Sequence, residues 1–240
     1  MERGDHTVRK ALLVIVVLGL LCSSPQRVKV VRLEGSRLVA ESWIGDSARL
    51  AAAGDALDLG FDKATRKKSA EEILRLVVEI EREWDLPDEW EVVQARLGDL
   101  NQDGQQEASL LVWRAFQPWP IDRFLPHGGR LHGFHDASGR SCHLILLGRR
   151  DDRFGELWAG SALVDPILDF AVVDLDGDGK DEFLAMEGKY TDMSRSKAWA
   201  LSVWEWNGFG FTLVDRLHGN FRHASILALP NGGKSVLYSQ

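Results

Sequence analysis

The chain has 240 residues, of which 45% are hydrophobic and 27% are charged, and its formal net charge is -7. This composition is that of a folded globular protein, and the length suits one large all-β domain or two small domains. The acidic excess and the lack of a long basic cluster exclude nucleic acid as the main partner, because phosphate binding needs clustered Lys and Arg.

The N-terminal segment has the pattern of an export signal. Basic residues precede an apolar run at 11–21, and small residues follow it. We expect residues 1–25 to be a signal peptide or a membrane anchor, with 11–22 as the only contact with a membrane. The protein is then exported to the periplasm, the cell surface or the medium. Cys22 leaves lipid attachment open, and no structural disulfide with Cys142 is expected.

A hairpin and a helix come next. Apolar-rich strands at 28–33 and 38–43 flank the turn residues EGSR and predict the hairpin. The segment 69–84 has apolar residues at helical spacing, and Ser69 followed by Glu72 has the spacing of a capping box. We therefore expect one inserted helix near 69–84, with its apolar face packed on the core.

The stretch GDLNQDGQQE at 98–107 follows, between apolar strands at 92–97 and 108–113. Counted from Asp99, positions 1, 3, 5 and 9 carry carboxylate or amide oxygens, and position 7 offers a backbone carbonyl. We call residues 99–107 loop 1. Its candidate metal ligands are Asp99, Asn101, Asp103, the carbonyl of Gln105 and Glu107.

A proline-rich connector at 116–126 leads into a histidine-rich loop. This loop brings together three imidazoles and a carboxylate that could hold a transition metal, namely His127, His132, His135 and Asp136. Their spacing matches no metal-binding pattern, and a solvated loop explains them equally well.

A second hairpin is predicted at 142–148 and 154–163, and a second acidic stretch follows it. VDLDGDGKDE at 173–182 repeats the first stretch position for position, again between apolar strands. We call residues 174–182 loop 2. Its candidate ligands are Asp174, Asp176, Asp178, the carbonyl of Lys180 and Glu182.

Two further hairpins complete the chain, one turning at Asn207-Gly208 and one around PNGG. The strands fall into three units of about four, which predicts an all-β domain over 26–240 built of blade-like antiparallel repeats. The predicted units are 28–116 with the helix inserted, 142–190 and 197–240. Closed propellers have four to eight blades, so the sequence leaves closure of these propeller-like units open.

Oxygen donors converging from one tight loop favour Ca²⁺, which takes six to eight of them. A glycine at position 6 supplies the positive φ that wraps the loop. An EF-hand would need Glu at position 12, where this chain has Leu110 and Ala185, and helices in place of the flanking strands. The sequence predicts two strand–loop–strand calcium sites, with loop 1 weaker because Asn101 replaces a carboxylate. A pair of solvated acidic turns is the competing interpretation.

These loops, together with the aromatic hairpin WNGFGF, resemble the FG-GAP/VCBS repeats of integrin α-chain-type β-propellers. The resemblance is strong over the two loops and looser over 140–240. It implies Ca²⁺ in each intact loop and a structural or adhesive role. The chain departs from the family in its number of repeats, in the helix, and in Gln102 and Gln106, where acids or small residues are usual.

Two classes of function remain. The first is an exported, calcium-stabilised binding or structural module without catalytic activity, whose partner is an unknown protein or glycan. The second is an extracytoplasmic glycan hydrolase or lyase that uses paired carboxylates on a propeller-like scaffold. The acids that can be placed are better explained as metal ligands, which favours the first class.

Overall fold

The computed structural model describes residues 29–42, 57–58, 63–117, 133–151, 153–192, 197–228 and 234–239. Strands β1 to β13 and helix α1, numbered in chain order, make up its regular structure. Their bounds are β1 Lys29–Glu34, β2 Arg37–Ser42, β3 Leu57–Asp58, α1 Lys63–Glu83, β4 Glu91–Gly98, β5 Glu107–Ala115, β6 Arg140–Arg150, β7 Arg153–Ala159, β8 Ile167–Val173, β9 Glu182–Glu187, β10 Ala198–Trp206, β11 Phe211–Phe221, β12 His223–Ala228 and β13 Lys234–Ser239.

The strands form three antiparallel sheets. The helix-side sheet has the order β4-β5-β6-β7, the central sheet β11-β10-β9-β8, and the terminal sheet β2-β1-β13-β12-β3. Within the described ranges no sheet closes into a barrel. The predicted all-β class with blade-like sheets and one helix is therefore confirmed, as are the four predicted hairpins.

The sheets group the strands differently from the predicted units 28–116, 142–190 and 197–240. β5 pairs with β6 across the predicted boundary after 116, and β9 pairs with β10 across the next. Each complete blade is thus strand, acidic loop, strand, connection, then hairpin. Local patterning identifies which strands form hairpins. A long connection between strands adds little loop-closure entropy, so two strands joined by one can still pair in the same sheet.

Side chains alternate between the two faces of the strands, so the central sheet packs on the helix-side sheet with one face and on the terminal sheet with the other. In β9, Phe183 and Ala185 lie in the core between the helix-side and central sheets. Leu184 and Met186 lie in the core between the central and terminal sheets. Because both faces of β9 are buried, its sequence reads as a continuous apolar run rather than an alternating one.

Helix α1 covers the other face of the helix-side sheet. Ile80 is fully buried there in a core with Leu110 and Ile145, and Ile73 and Leu76 pack against it. The predicted packing of the apolar helix face on the core is confirmed.

The predicted start of the helix at Ser69 was wrong. The helix begins at Lys63, which places Ser69 inside it rather than at a cap. The residues at 63–68 are KATRKK, which contain no Gly or Pro and several good helix formers, so the helix extends back through them. Its end agrees with the prediction, since it stops at Glu83 and Pro87 follows.

Strands from the two ends of the described chain share the terminal sheet. β1 pairs with β13 in a register that places Lys29 opposite Tyr238 and Val31 opposite Val236. β13 also pairs with β12, so it lies in the interior of the sheet.

Several predictions fall on residues outside the described ranges, including the signal or anchor at 1–25, Cys22, His127 and His132. Of the helices in the described ranges, none has the length and hydrophobicity to cross a membrane. Cys142 is buried in β6, and its thiol lies 4.0 Å from the carbonyl oxygen of Ile167.

Candidate metal centre

Loop 1 connects β4 to β5 and is held by hydrogen bonds from its own backbone. Asp99 accepts the N–H of Asp103 at Oδ1 and the N–H of Gly104 at Oδ2, both at 3.0 Å. The Asn101 and Asp103 side chains each accept the N–H two residues ahead, at 2.9 and 2.8 Å. The alternating polar side chains therefore fix the turn before any ion is considered.

Loop 2, between β8 and β9, is built in the same way. Asp174 accepts the N–H of Gly177 at 2.7 Å and that of Gly179 at 3.1 Å. Asp176 and Asp178 each accept the N–H two residues ahead, at 3.1 and 2.9 Å. Two loops from different sheets thus share most of one hydrogen-bonding pattern; they differ in that Asp99 accepts an N–H four residues ahead where Asp174 accepts one three residues ahead.

Positive φ angles occur at the same two positions of both loops. The predicted glycines at position 6, Gly104 and Gly179, have φ of 84° and 89°. Position 4 is Gly177 at 84° in loop 2 but Gln102 at 64° in loop 1. A left-handed glutamine is strained, which makes loop 1 the less favourable of the two backbones.

The glutamate at position 9 forms the buried base of each loop. Glu107 is 1% exposed and accepts the N–H groups of Leu100 and Asn101 at Oε2, at 2.8 and 3.1 Å. Glu182 is 3% exposed and accepts the N–H of Leu175 at Oε2, at 2.7 Å. Each carboxylate thus ties the start of its loop to the strand that follows it.

Burial raises the pKa of both glutamates to about 7, and the neighbouring aspartates add to this effect. The backbone N–H groups that each carboxylate accepts oppose the rise. A cation bound beside such a group would favour its ionised form and so offset the rise.

Each loop brings three carboxylates together, with one oxygen from each lying within 4.8 Å of the others. The groups are Asp99, Asp103 and Glu107 in loop 1, and Asp174, Asp176 and Glu182 in loop 2. Both groups could hold a metal ion. Asp178 is not in the loop 2 group and lies 3.6 Å from the Nζ of Lys180. Asn101 donates Nδ2 to Asp103 at 3.1 Å, and the carbonyls of Gln105 and Lys180 remain predicted ligands.

The two loops are in direct contact, which the sequence did not indicate. The backbone N–H of Asp99 donates to Oδ2 of Asp181 at 3.0 Å. Gly98 permits this approach, because a Cβ on it would lie 2.1 Å from Cγ1 of Val172. The only trace in the sequence is that the aligned stretches differ at the two positions of this contact, where Gly98 matches Val173 and Gln106 matches Asp181.

Of the predicted histidine cluster, the described part has structural roles. His135 contacts the backbone carbonyl of Asp136 through Nδ1 at 2.8 Å. Asp136 in turn accepts the N–H groups of Ser138 and Arg140, which closes the turn before β6. These contacts account for both residues without a metal ion.

Comparisons with protein-family models, with curated proteins and with solved structures found no match to this chain. The candidate metal centre therefore stands on its own geometry, in which two loops on neighbouring sheets each gather two aspartates around a buried glutamate.

Proposed function

We propose that this protein is an exported, calcium-stabilised structural or binding module of the FG-GAP/VCBS type, without catalytic activity. The observation that carries the proposal is the repetition of one loop geometry in two sheets, each with a buried glutamate beneath more exposed aspartates. Burying a carboxylate costs free energy unless its charge is paired, and a bound cation would pair it.

The donor chemistry favours Ca²⁺ over a transition metal. All the candidate side-chain ligands in the two loops would bind a metal through oxygen, and neither loop contains His or Cys. Hard oxygen ligands suit Ca²⁺ and Mg²⁺, and a flexible loop with many carboxylates suits the larger Ca²⁺.

A structural role follows from where the loops lie. Each connects two neighbouring strands of one sheet, and its glutamate bonds to the backbone at the start of the loop. An ion held there would offset the repulsion between the carboxylates and so favour the folded turn. Both three-carboxylate groups of the described residues belong to these loops, so their carboxylates are accounted for as candidate ligands of a structural ion.

The experiment compares thermal unfolding in millimolar Ca²⁺, in Mg²⁺ and in chelator. An ion that binds only the folded state adds about 2.7 kcal/mol at a hundredfold excess over Kd, so Ca²⁺ should raise Tm and Mg²⁺ should do so less. The double variant Glu107→Gln, Glu182→Gln should lose the Ca²⁺-dependent rise, whereas Glu156→Gln, on an exposed residue of β7, should keep it. Identical melting of the natural chain in Ca²⁺ and in chelator would overturn the proposal.

Export rests on the N-terminal sequence alone. It is tested by fractionating the native cells and sequencing the N-terminus of the chain recovered outside the cytoplasm. A chain confined to the cytoplasm with residues 1–25 intact would contradict it.

A further inference from the structure

The contact between the two loops joins Asp99, a candidate ligand of loop 1, to Asp181, which is next to a candidate ligand of loop 2. Asp99 is the first candidate ligand of loop 1, and its N–H donates to Asp181 of loop 2 at 3.0 Å. Asp181 lies between Lys180 and Glu182, both candidate ligands of loop 2. Its carboxylate therefore takes its position from the backbone that a cation in loop 2 would order.

The approach of the two loops is enforced by packing. A Cβ on Gly98 would lie 2.1 Å from Cγ1 and 2.9 Å from Cβ of Val172, and 3.1 Å from Oδ2 of Asp181. β4 and β8 therefore lie too close for any side chain at this position. A displacement of Asp181 would therefore displace the backbone of Asp99.

The effect continues into loop 1 through the side chain of Asp99. Its two oxygens accept the N–H groups of Asp103 and Gly104, at 3.0 Å each. Asp181 accepts the backbone N–H of Asp99 and so fixes the position from which the Asp99 carboxylate extends. That carboxylate in turn fixes the conformation of loop 1. Gln106, at the position in loop 1 that matches Asp181, is exposed.

Resting on the proposed function, we propose that Asp181 is a positioning residue which couples the two cation sites, so that Ca²⁺ in loop 2 raises the affinity of loop 1. The coupling must be reciprocal, so that Ca²⁺ in loop 1 raises the affinity of loop 2 by the same factor. We expect a factor of about 5 to 20, at the lower end of typical coupling energies, because two like-charged ions also repel each other. The negative charge of Asp181 reduces that repulsion.

The test is a mutant cycle read by Ca²⁺ titration calorimetry on the whole chain. Loop 2 is disabled by Asp174→Asn with Asp176→Asn, which removes two charges and keeps oxygen acceptors. This should weaken the loop 1 site about 5- to 20-fold. In the Asp181→Ala background the same loop 2 changes should alter the loop 1 Kd by less than about twofold.

Asp181→Asn serves as the conservative variant, since its amide oxygen can still accept the N–H of Asp99. It should keep most of the coupling, and loss as complete as in Asp181→Ala would overturn the positioning role. Disabling loop 1 by Asp99→Asn with Asp103→Asn should weaken loop 2 by the same factor, and a failure of this reciprocity would also contradict the proposal.

The outcomes separate this inference from the proposed function. If the natural chain binds two Ca²⁺ ions and the loop 1 Kd stays constant when loop 2 is disabled, the coupling is overturned and the proposed function stands. If the natural chain binds no Ca²⁺, both are overturned. Thermal unfolding of every variant in chelator checks that each is folded.

Discussion

Gly98 ends β4 at a point where the helix-side and central sheets lie close together, beside the two loops. A Cβ built on it meets both Cγ1 and Cβ of Val172, a side chain that is stiff because it branches at Cβ. Relief would therefore require β4 and β8 to move apart, and this would pull Asp99 away from Asp181.

We predict that Gly98→Ala destabilises the protein by about 1–3 kcal/mol, the usual cost of overpacking a well-packed site. It should also weaken Ca²⁺ binding by loop 1. The control is Gly155→Ala in β7, because a Cβ on Gly155 meets nothing within 4 Å. Denaturant unfolding of both variants checks the prediction, and equal stability of the two would contradict it.

His143 is a buried imidazole, 5% exposed, in the helix-side sheet. Its Nε2 lies 2.8 Å from the hydroxyl of Ser141 and its Nδ1 lies 3.0 Å from the carbonyl oxygen of Gly160. Since a carbonyl only accepts, Nδ1 carries the proton and Nε2 accepts from Ser141. Burial, with a smaller contribution from the charge of Arg114, lowers the pKa of His143 to about 4 against the opposing hydrogen bond to Gly160.

The lowered pKa of His143 predicts that this residue makes folding pH-dependent. Between its ordinary pKa of 6.5 and about 4, the unfolded chain binds a proton that the folded chain does not. Stability from this group is therefore complete above pH 6.5 and is lost as the pH falls toward 4, by up to about 3 kcal/mol.

The measurement is unfolding free energy against pH for the natural chain and for His143→Gln, with the exposed His218→Gln as control. The buried glutamates of the loops titrate alike in all three proteins, so the difference isolates His143. A His143→Gln curve parallel to that of the natural chain from pH 7 to 4 would contradict the prediction.

At this scale the sequence predicts most of the carboxylates that each loop brings together, because they lie within nine positions of one another; Asp178 is outside the loop 2 group. It cannot predict Asp181 as a partner of Asp99, because that bond joins two sheets whose packing no local pattern encodes. The strain at Gln102 follows from the loop alignment, since its partner Gly177 is free to adopt positive φ.

At the scale of elements, α1 is held to the helix-side sheet by one apolar stripe and by ionic contacts at its C-terminal end. Arg149 of β6 bonds to Glu79 at 3.0 Å, and the N–H of Phe154 donates to Glu83 at 3.0 Å. The opposite face of the helix carries Leu74, which is 63% exposed.

We predict that Ile80→Ala costs about 2–5 kcal/mol, the range for a fully buried aliphatic side chain, because it leaves a cavity in the core between α1 and the sheet. Leu74→Ala, six residues earlier on the exposed face, should change stability by less than about 0.5 kcal/mol. Chemical denaturation compares the two. Similar losses would show that the exposed face of the helix is also packed.

The strands are the elements that the sequence predicts best, because apolar alternation and turn residues act within a few positions of each other. The helix N-terminus is predicted less well, since a capping-box spacing recurs inside helices and only the backbone decides which residue is the cap.

At the scale of the whole molecule, the terminal sheet is the layer whose strand pairing the sequence does not predict. Its interior strand β13 lies between β1 and β12, and Val236 and Tyr238 of β13 lie in the core that covers the central sheet. Hairpin patterns predict β1–β2 and β12–β13 separately, but nothing local shows that β1 and β13 pair.

We predict that removal of residues 234–240 abolishes cooperative unfolding of the terminal sheet and exposes the apolar face of the central sheet. The reason is that β13 supplies the hydrogen bonds joining β1 to β12. Removal of Gln240 alone is the control. Thermal unfolding and binding of a hydrophobic dye report the result, and native-like melting of the truncated chain would contradict the prediction.

The pairing of β1 with β13 also sets the timing of folding during synthesis. About 200 residues separate Lys29 from Tyr238, and ribosomes add roughly 5–20 residues per second, so β1 waits on the order of 10–40 s for its partner. A two-stranded hairpin such as β1–β2 is at best marginally stable alone. The terminal sheet must therefore assemble after β13 has been made, and until then the apolar side chains of Val31 and Leu33 are available to any chaperone that meets the growing chain.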